Sequence, residues 1–449
     1  MSEAGGRGSA RFAASPLYRA YVLALLVSVG IAGWVDRNVL AALLQSIKLE
    51  LAFSDTELGL LGGIAFGVFY ATVGLPLAWL ADRSDRRSLI AAAVGLWSVM
   101  TAACGLAGGF PALFLARVGV GIGEAGGSPP SQSLVSDYFG RERRARAFGV
   151  LYLQIPLGFV AGYWLGGWLD GLVGWRLTFL LVGLPGIALA ALVRLTLREP
   201  PRGHADAAGA PEATGTSLPA AIRYFVAQRT LRYVSLAGAA HGVGAFAAAL
   251  WLPTYFIRTF AVTGATAGAW LALAYGCGGT VGVLCGGQIA DAFVHGTRNA
   301  RWYAWGCSAV IAATLPCTAV TYLSDSPTIA VAALVVATFL GHMFLGPVAA
   351  LLQGLAGVRR RAMVAAFYLF LVNLVSMGVG PTIVGMASDR FAASFGNDAL
   401  RWALFAVVTL TSALASGLFW LAGRSVPRDL DHEAPGAEPA LPSSSVVSS

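Results

Sequence analysis

The chain has 449 residues, 57% hydrophobic and 12% charged, with a formal net charge of +8 and a mean hydropathy of +0.70. Soluble domains carry about 25% charged residues, so this composition excludes an ordinary water-soluble globule and fits a chain whose solvent is lipid. The basic excess is no nucleic-acid footprint, because it is confined to alternate loops.

Residues 1–18 are polar and small, lack the short apolar core of a cleavable signal, and read as a cytoplasmic N-terminal segment. About 20 apolar residues cross a hydrocarbon core as a helix. Six such spans are expected at 19–41, 57–81, 88–107, 110–136, 144–170 and 175–196, giving a first bundle over 19–197. A Pro-, Gly- and charge-rich linker at 198–230, with a surface helix around Pro219 to Arg229, separates them from six more. These are expected at 231–258, 264–293, 301–323, 327–355, 361–391 and 399–423, a second bundle over 231–426. The Pro-, Ser- and acid-rich tail, 427–449, reads as disordered. The expected fold class is therefore all-α integral membrane, with twelve transmembrane helices in two pseudo-symmetric bundles.

Basic residues crowd one set of loops: Arg7 to Arg19, Arg83 to Arg87, Arg141 to Arg146, the linker, Arg298 and Arg301, Arg359 to Arg361, and Arg424 with Arg428. The other loops hold only Lys48, Arg176, Arg258, Arg390 and Arg401. The positive-inside rule then places both termini in the cytoplasm. Lys48 is the only lysine among 30 basic residues, an arginine bias that points to a GC-rich bacterium and hence a bacterial inner membrane.

Spans 2, 5, 8 and 11 each close with a small residue, three positions, then Asp: Ala78–Asp82, Gly166–Asp170, Gly287–Asp291 and Gly385–Asp389. The three-span period implies four related units, neighbours inverted, as in secondary transporters with a midplane site.

Within the spans and away from their ends, the ionisable residues are Asp36, Arg37, Arg117, Glu124, His241 and His342. A charge at the bilayer centre costs at least about 2.5–3.5 kcal/mol, so four charges of mixed sign in one half must face each other or a wet cavity. Desolvation favours a neutral carboxylate and a nearby arginine favours the charged one, which makes Asp36 and Glu124 the proton-coupling candidates. Arg117, permanently charged and fork-shaped, suits a phosphate or carboxylate. Arg37 is a second headgroup contact or the partner of Asp36. A buried structural salt bridge is the alternative for these four. His241, His342, Tyr70 and Tyr152 are candidate cavity residues, the histidines equally readable as packing groups. Glycines 119, 121 and 123 clear one face of span 4 for a neighbouring helix, and Gly158, Gly162 and Gly166 do the same in span 5.

Gly121-Ile-Gly123-Glu-Ala-Gly126 matches a dinucleotide fingerprint but has no preceding strand. No Walker lysine motif, HExxH or GxSxG occurs. The five cysteines have no metal-ligand spacing. An enzyme, a cofactor and a metal are therefore not expected.

Leu80-Ala-Asp82-Arg83-Ser-Asp85-Arg86-Arg87 resembles the loop between the second and third helices of the major facilitator superfamily, with Ala78 and Asp85 where its signature has glycines. That resemblance implies two six-helix bundles rocking about a midplane site and a monomer; Asp82, Arg83, Arg86 and Arg87 read as a cytoplasmic gate between the halves, with the alternative that these arginines only satisfy topology. Trp34-Val-Asp36-Arg37-Asn38, Arg117-Val-Gly-Val-Gly-Ile-Gly-Glu124-Ala125 and Arg198-Glu-Pro-Pro-Arg-Gly203 are similar to the Spinster family. Its implied substrates are lysophospholipids and sphingoid phosphates.

The distribution of polarity agrees, and is partly independent of those first-half motifs. Spans 1–6 hold the four charges, whereas spans 7–12 offer two histidines and many Phe, Leu, Trp and Ala. An amphiphile fits, its head near Arg117 and Glu124 and its tail near Phe246, Trp251 and Phe344. The expectation is a proton-coupled transporter of an anionic or zwitterionic amphiphile. The alternatives are a small-organic-anion symporter or antiporter, and more remotely a scramblase or membrane-embedded lipid enzyme.

Overall fold

The computed structural model describes residues 15–202 and 218–431. Its helices, in order, are α1 (Pro16–Leu51), α2 (Asp55–Gly62), α3 (Ile64–Ala81), α4 (Arg86–Gly105), α5 (Phe110–Ala125) and α6 (Ser128–Tyr138). Then come α7 (Arg141–Tyr152), α8 (Gln154–Thr196), α9 (Leu218–Ala227), α10 (Arg229–Phe260), α11 (Gly264–Leu273) and α12 (Thr280–Thr297). The last five are α13 (Arg301–Leu323), α14 (Pro327–His342), α15 (Leu345–Leu355), α16 (Gly357–Phe395) and α17 (Ala399–Asp431).

Among the described residues, nine continuous stretches are long and apolar enough to cross a membrane. Two of them hold two crossings each, and α5 with α6 supplies another, so the described residues make twelve passes. The reversal inside α8 falls at Gly174, whose φ of 78° lies in the left-handed region that glycine tolerates. Before it, Gly166 packs on Ala42 of α1; after it, Thr196 bonds Tyr18 and Tyr21 at the opposite end of α1. Helix breaks recur at matching places in the two halves. Gly63 parts α2 from α3 where a π-helical turn, Ala274–Gly279, parts α11 from α12. Gly126 and Gly127 part α5 from α6 where Met343 and Phe344 part α14 from α15.

Two expected boundaries move. The first span continues ten residues past 41 to Leu51, because Lys48 and Glu50 find partners at that end. The tail does not begin at Pro427: α17 runs on to Asp431, where the Asp429 carboxylate accepts from the Thr230 N–H at the start of α10. The rest of the expected tail, most of the N-terminal segment and the middle of the linker lie outside the described residues. The expected surface helix is α9.

Close packing explains the glycine ladders. A Cβ on Gly162 would lie 2.7 Å from the Asn38 Cβ, and one on Gly166 2.8 Å from that of Ala42. On α5, a Cβ at Gly121 would meet the Phe66 carbonyl at 2.7 Å and one at Gly123 the Trp97 nitrogen at 2.7 Å. The glycines flanking Glu124 thus let α3 and α4 close on α5, and the dinucleotide-like pattern is a packing pattern. In lipid such contacts, rather than hydrophobic burial, hold helices together.

Candidate functional site: a charged waist between two cavities

Two cavities lie in series along α1. The first, about 500 Å³, is lined by Trp34, Arg37, Asn38, Ala41, Gly62, Phe66, Arg117, Phe159, Phe246, Ala249, Leu250, Met377 and Pro381, and so by both halves. The second, about 670 Å³, is lined by first-half residues that include Gly30, Arg37, Tyr70, Trp97, Glu124, Ser128, Ser131, Gln132, Tyr152 and Gln154. Trp34 and Arg37 border both. The second cavity lies toward the terminal face, which carries the linker, the start of α1 and the end of α17.

Of the four intramembrane charges of the first half, Arg37, Arg117 and Glu124 line the cavities at this waist and Asp36 lies behind it, in pairings that sequence order does not suggest. Arg37 Nε donates to Glu124 Oε2 at 2.5 Å. Its guanidinium sits over the rings of Trp34, Phe66 and Tyr70, at 4.8, 5.1 and 4.6 Å. Consecutive residues on a helix do not face each other, so Asp36 points elsewhere: it is buried and accepts from the Thr101 hydroxyl of α4 at 3.0 Å. Asp36 borders neither cavity. Arg117 is 2% exposed, lies 5.1 Å from the Phe66 ring, and keeps Nε and Nη1 without a hydrogen-bond partner among the described residues. Arg37 and Arg117 thus both lie 5.1 Å from the centre of one aromatic ring, that of Phe66.

Tyr70 and Tyr152 line the second cavity, joined by Gln132, Gln154, Ser128 and Ser131. Sequence reasoning passed over the two serines and Gln132 because polar residues near a span end resemble a helix terminus. The histidines are not brought to the waist. His241 Nε2 lies 3.0 Å from the Gly341 carbonyl, with its ring edge-on to Phe344; His342 Nδ1 lies 2.7 Å from the Thr338 carbonyl. Both border the second-half core rather than either cavity. Of the expected tail wall, Phe246 lines the first cavity. Trp251 is fully buried against the Pro381 carbonyl, and Phe344 packs in the second-half core. Their places in the wall are taken by Phe159, Leu250 and Met377.

On the terminal face, the contacts of the signature loop among the described residues stay within the first half. Arg86, 1% exposed, donates to Asp137 (2.5 Å), Glu199 (2.6 Å), Ser133 (2.8 Å) and the Pro200 carbonyl (3.1 Å). Arg202 returns the bond to the carbonyls of Ala81 and Ser84. The signature loop and the Arg198-Glu-Pro-Pro motif therefore lock each other. Arg87 pairs with Asp85, Arg83 lies over Trp79, and Asp82 is exposed. Partial burial pushes the Asp85 carboxyl up, but the Ser88 hydroxyl and Arg87 outweigh it and hold it below the usual carboxylate range. Among the described residues, no hydrogen bond or ion pair joins Asp82, Arg83, Arg86 or Arg87 to the second half.

The opposite, far face is where the halves are fastened. Asp55, opening α2, receives both terminal nitrogens of Arg258 (2.8 and 2.9 Å), Lys48 (2.6 Å) and the Ser388 hydroxyl (2.6 Å). Arg258 also donates to Gln45 at 2.7 Å, and Tyr163 to the Ala249 carbonyl at 2.6 Å. This network was not anticipated, although Asp389 of the repeated motif belongs to it.

Comparison with known proteins settles the lineage. The family model of the Major Facilitator Superfamily matches residues 25–381. The chain belongs to the Major Facilitator Superfamily. It is 30% identical over 412 residues to an MFS-type efflux pump of Mycolicibacterium smegmatis, covering 91% of this chain and 94% of that one. It is 29% identical over 245 residues to the sphingosine-1-phosphate transporter SPNS2 of Danio rerio. That match takes in 53% of this chain and 48% of the relative, so the chain spans about half of the fish protein's length. A solved bacterial homolog of the human lysosomal transporter Spinster, in an inward-facing and unoccupied conformation, superposes with a TM-score of 0.84 at 29% identity. The superposition covers 93% of this chain and 99% of that one. The chain is a multi-pass membrane transporter of Spinster type, not an enzyme.

Proposed function

We propose that this transporter moves an anionic or zwitterionic amphiphile, of lysophospholipid or sphingoid-phosphate kind, by proton-coupled alternating access. The observation that carries the reading is Arg117: a buried guanidinium with two unpartnered nitrogens, on a cavity whose other wall is apolar and comes from the second half. A buried polar group left unpaired costs about 1–3 kcal/mol, more when charged. An arriving anion relieves that cost. Phe159, Phe246, Leu250 and Met377 accept a chain at about 0.8 kcal/mol per buried methylene.

Asp36 and Glu124 are the proton-coupling groups in this reading. Glu124 is tied to a substrate-facing arginine, so its proton occupancy and anion binding act on the same side chain. With both termini in the cytoplasm of a bacterial cell, the fastened far face is periplasmic and the cavities open inward. Transport then requires the Asp55 network to part and the terminal face to close, where Asp82, Arg83, Arg86 and Arg87 form the gate. The protein works as a monomer in the bilayer.

Affinity against acyl length at fixed headgroup, measured on purified protein, tests the proposal. Affinity should rise with chain length and fall on substitution of Arg117. Binding indifferent to length, or preference for a short dicarboxylate, would replace it with a small-organic-anion carrier.

A further inference from the structure

Away from the waist, α13 and α17 run antiparallel at the edge of the second half, and their contacts fix a register. The Ser308 hydroxyl donates to the Ser416 carbonyl at 2.8 Å, and the Ser416 hydroxyl donates to the Ser308 carbonyl at 3.0 Å. One turn nearer the terminal face, Trp305 Nε1 donates to the Trp420 carbonyl at 3.3 Å. One turn further, the same register brings Arg301 level with Arg424. Each of these arginines lies over the tryptophan four positions away on its own helix. Arg301 is 5.8 Å from the Trp305 ring and Arg424 is 4.9 Å from that of Trp420. Two cation–π pairs therefore stand side by side, joined through Trp305.

The geometry points to a binding site for an anionic glycerophospholipid of the bilayer, its phosphodiester shared by Arg301 and Arg424. The site is separate from the transport path, since none of these residues lines either cavity. Charge is the first support. Among the described residues, neither guanidinium has an ion pair or a hydrogen bond, and Arg428, one turn beyond Arg424, has none either. The carboxylates at these helix ends are engaged elsewhere, Asp291 by the Tyr303 hydroxyl at 2.8 Å and Asp429 by the Thr230 N–H at 2.7 Å. Depth is the second. Leu410, Leu414 and Trp420 are exposed along one stripe of α17, which in a bilayer faces lipid, and Arg424 and Arg428 continue that stripe. Tryptophan marks the headgroup level of a membrane, so the arginines sit where phosphates lie. Room for the chain is the third. Deeper than the arginines, Gly306 on α13 and Gly417 on α17 both face open space, and an acyl chain can lie against the backbone there. Arginine's planar fork suits a phosphodiester oxyanion, and basic pockets between spans are a recurring form of anionic-lipid recognition.

The test titrates the purified full-length protein in neutral detergent with dioleoyl phosphatidylglycerol or dioleoyl phosphatidylcholine and counts bound lipid by native mass spectrometry. Phosphatidylglycerol should bind and phosphatidylcholine, with the same phosphodiester but no net charge, should bind far more weakly. The double substitution Arg301→Gln and Arg424→Gln should weaken phosphatidylglycerol by about 30-fold, at about one factor of five per arginine near the surface. Each single substitution should give part of that loss, which keeps the test intact should the double variant fail to fold. Arg117→Ala should leave phosphatidylglycerol binding unchanged. Inorganic phosphate, added at ionic strength matched with chloride, should not displace the lipid. Equal binding of the two lipids overturns the inference, as does full affinity in the arginine variants. Loss of binding in Arg117→Ala moves the lipid to the central cavity, and displacement by inorganic phosphate makes the site one for a free anion; either result overturns it too.

Discussion

Asp389 accepts hydrogen bonds from both the backbone N–H and the hydroxyl of Thr56, at 2.7 and 2.6 Å, across the boundary between the two halves. It takes the Asp55 N–H as well, at 3.0 Å, while Ser54 and Glu57 form a capping box on the same turn. The first turn of α2 is thus capped partly by its own chain and partly by the opposing bundle. A carboxylate at a helix N-terminus is favoured by the helix dipole, and hydrogen bonds to a charged group are worth about 1.5–3 kcal/mol. Asp389→Ala should therefore shift the balance between the two transporter states toward far-face opening by about 10- to 100-fold. Spin labels at Leu49 and Ala393, in a cysteine-free background, should report a longer far-face distance. An unchanged distance distribution would show that the cap does not hold the state.

Arg117→Lys should lose nearly as much substrate affinity as Arg117→Ala. A lysine carries the charge but not the planar fork whose Nε and Nη1 are unpartnered on the cavity. Wild-type affinity in the lysine variant would reduce Arg117 to a generic positive charge.

Asp36→Asn and Glu124→Gln should each abolish proton-dependent transport while the protein still reaches the membrane. Thr101, whose hydroxyl orients Asp36, provides a finer probe. Thr101→Val should displace the pH midpoint of transport in liposomes, and Thr101→Ser should restore it. If the neutral carboxylate variants keep the wild-type pH profile, coupling resides elsewhere.

Gly121→Ala and Gly123→Ala should each destabilise the first bundle by about 1–3 kcal/mol, the cost of overpacking. Their added carbons fall 2.7 Å from backbone atoms of Phe66 and Trp97, which cannot rotate away. Thermal unfolding in detergent measures this. Gly108→Ala, with open space around it, should melt like the wild type.

The fold was legible because hydropathy and loop charge report directly on a bilayer, which makes apolar length and arginine placement cheap to read. The waist was legible for the converse reason: charge is so costly in lipid that Asp36, Arg37, Arg117 and Glu124 stood out singly. Their pairing was not, since it depends on helix rotation. Arg37 turns to Glu124 on α5 and leaves its neighbour Asp36 to Thr101, and no spacing within α1 encodes that. The far-face network was hidden differently. Asp55, Arg258 and Lys48 sit at helix ends, where charged residues are ordinary, and only three-dimensional proximity singles them out.

The hairpin in α8 bears on how the protein is made. Between the ladder that ends at Gly166 and the crossing that packs against Ser98 and Ala102, the turn at Gly174 exposes no polar loop beyond Asp170 and Arg176. Asp170 accepts from Ser46, and Arg176 is held by Glu50 and the Ala107 carbonyl. So little polar material has to be carried over that the fifth and sixth crossings can leave the insertion machinery as a single wedge. Their orientation is then decided jointly, by the arginines at either end of the pair.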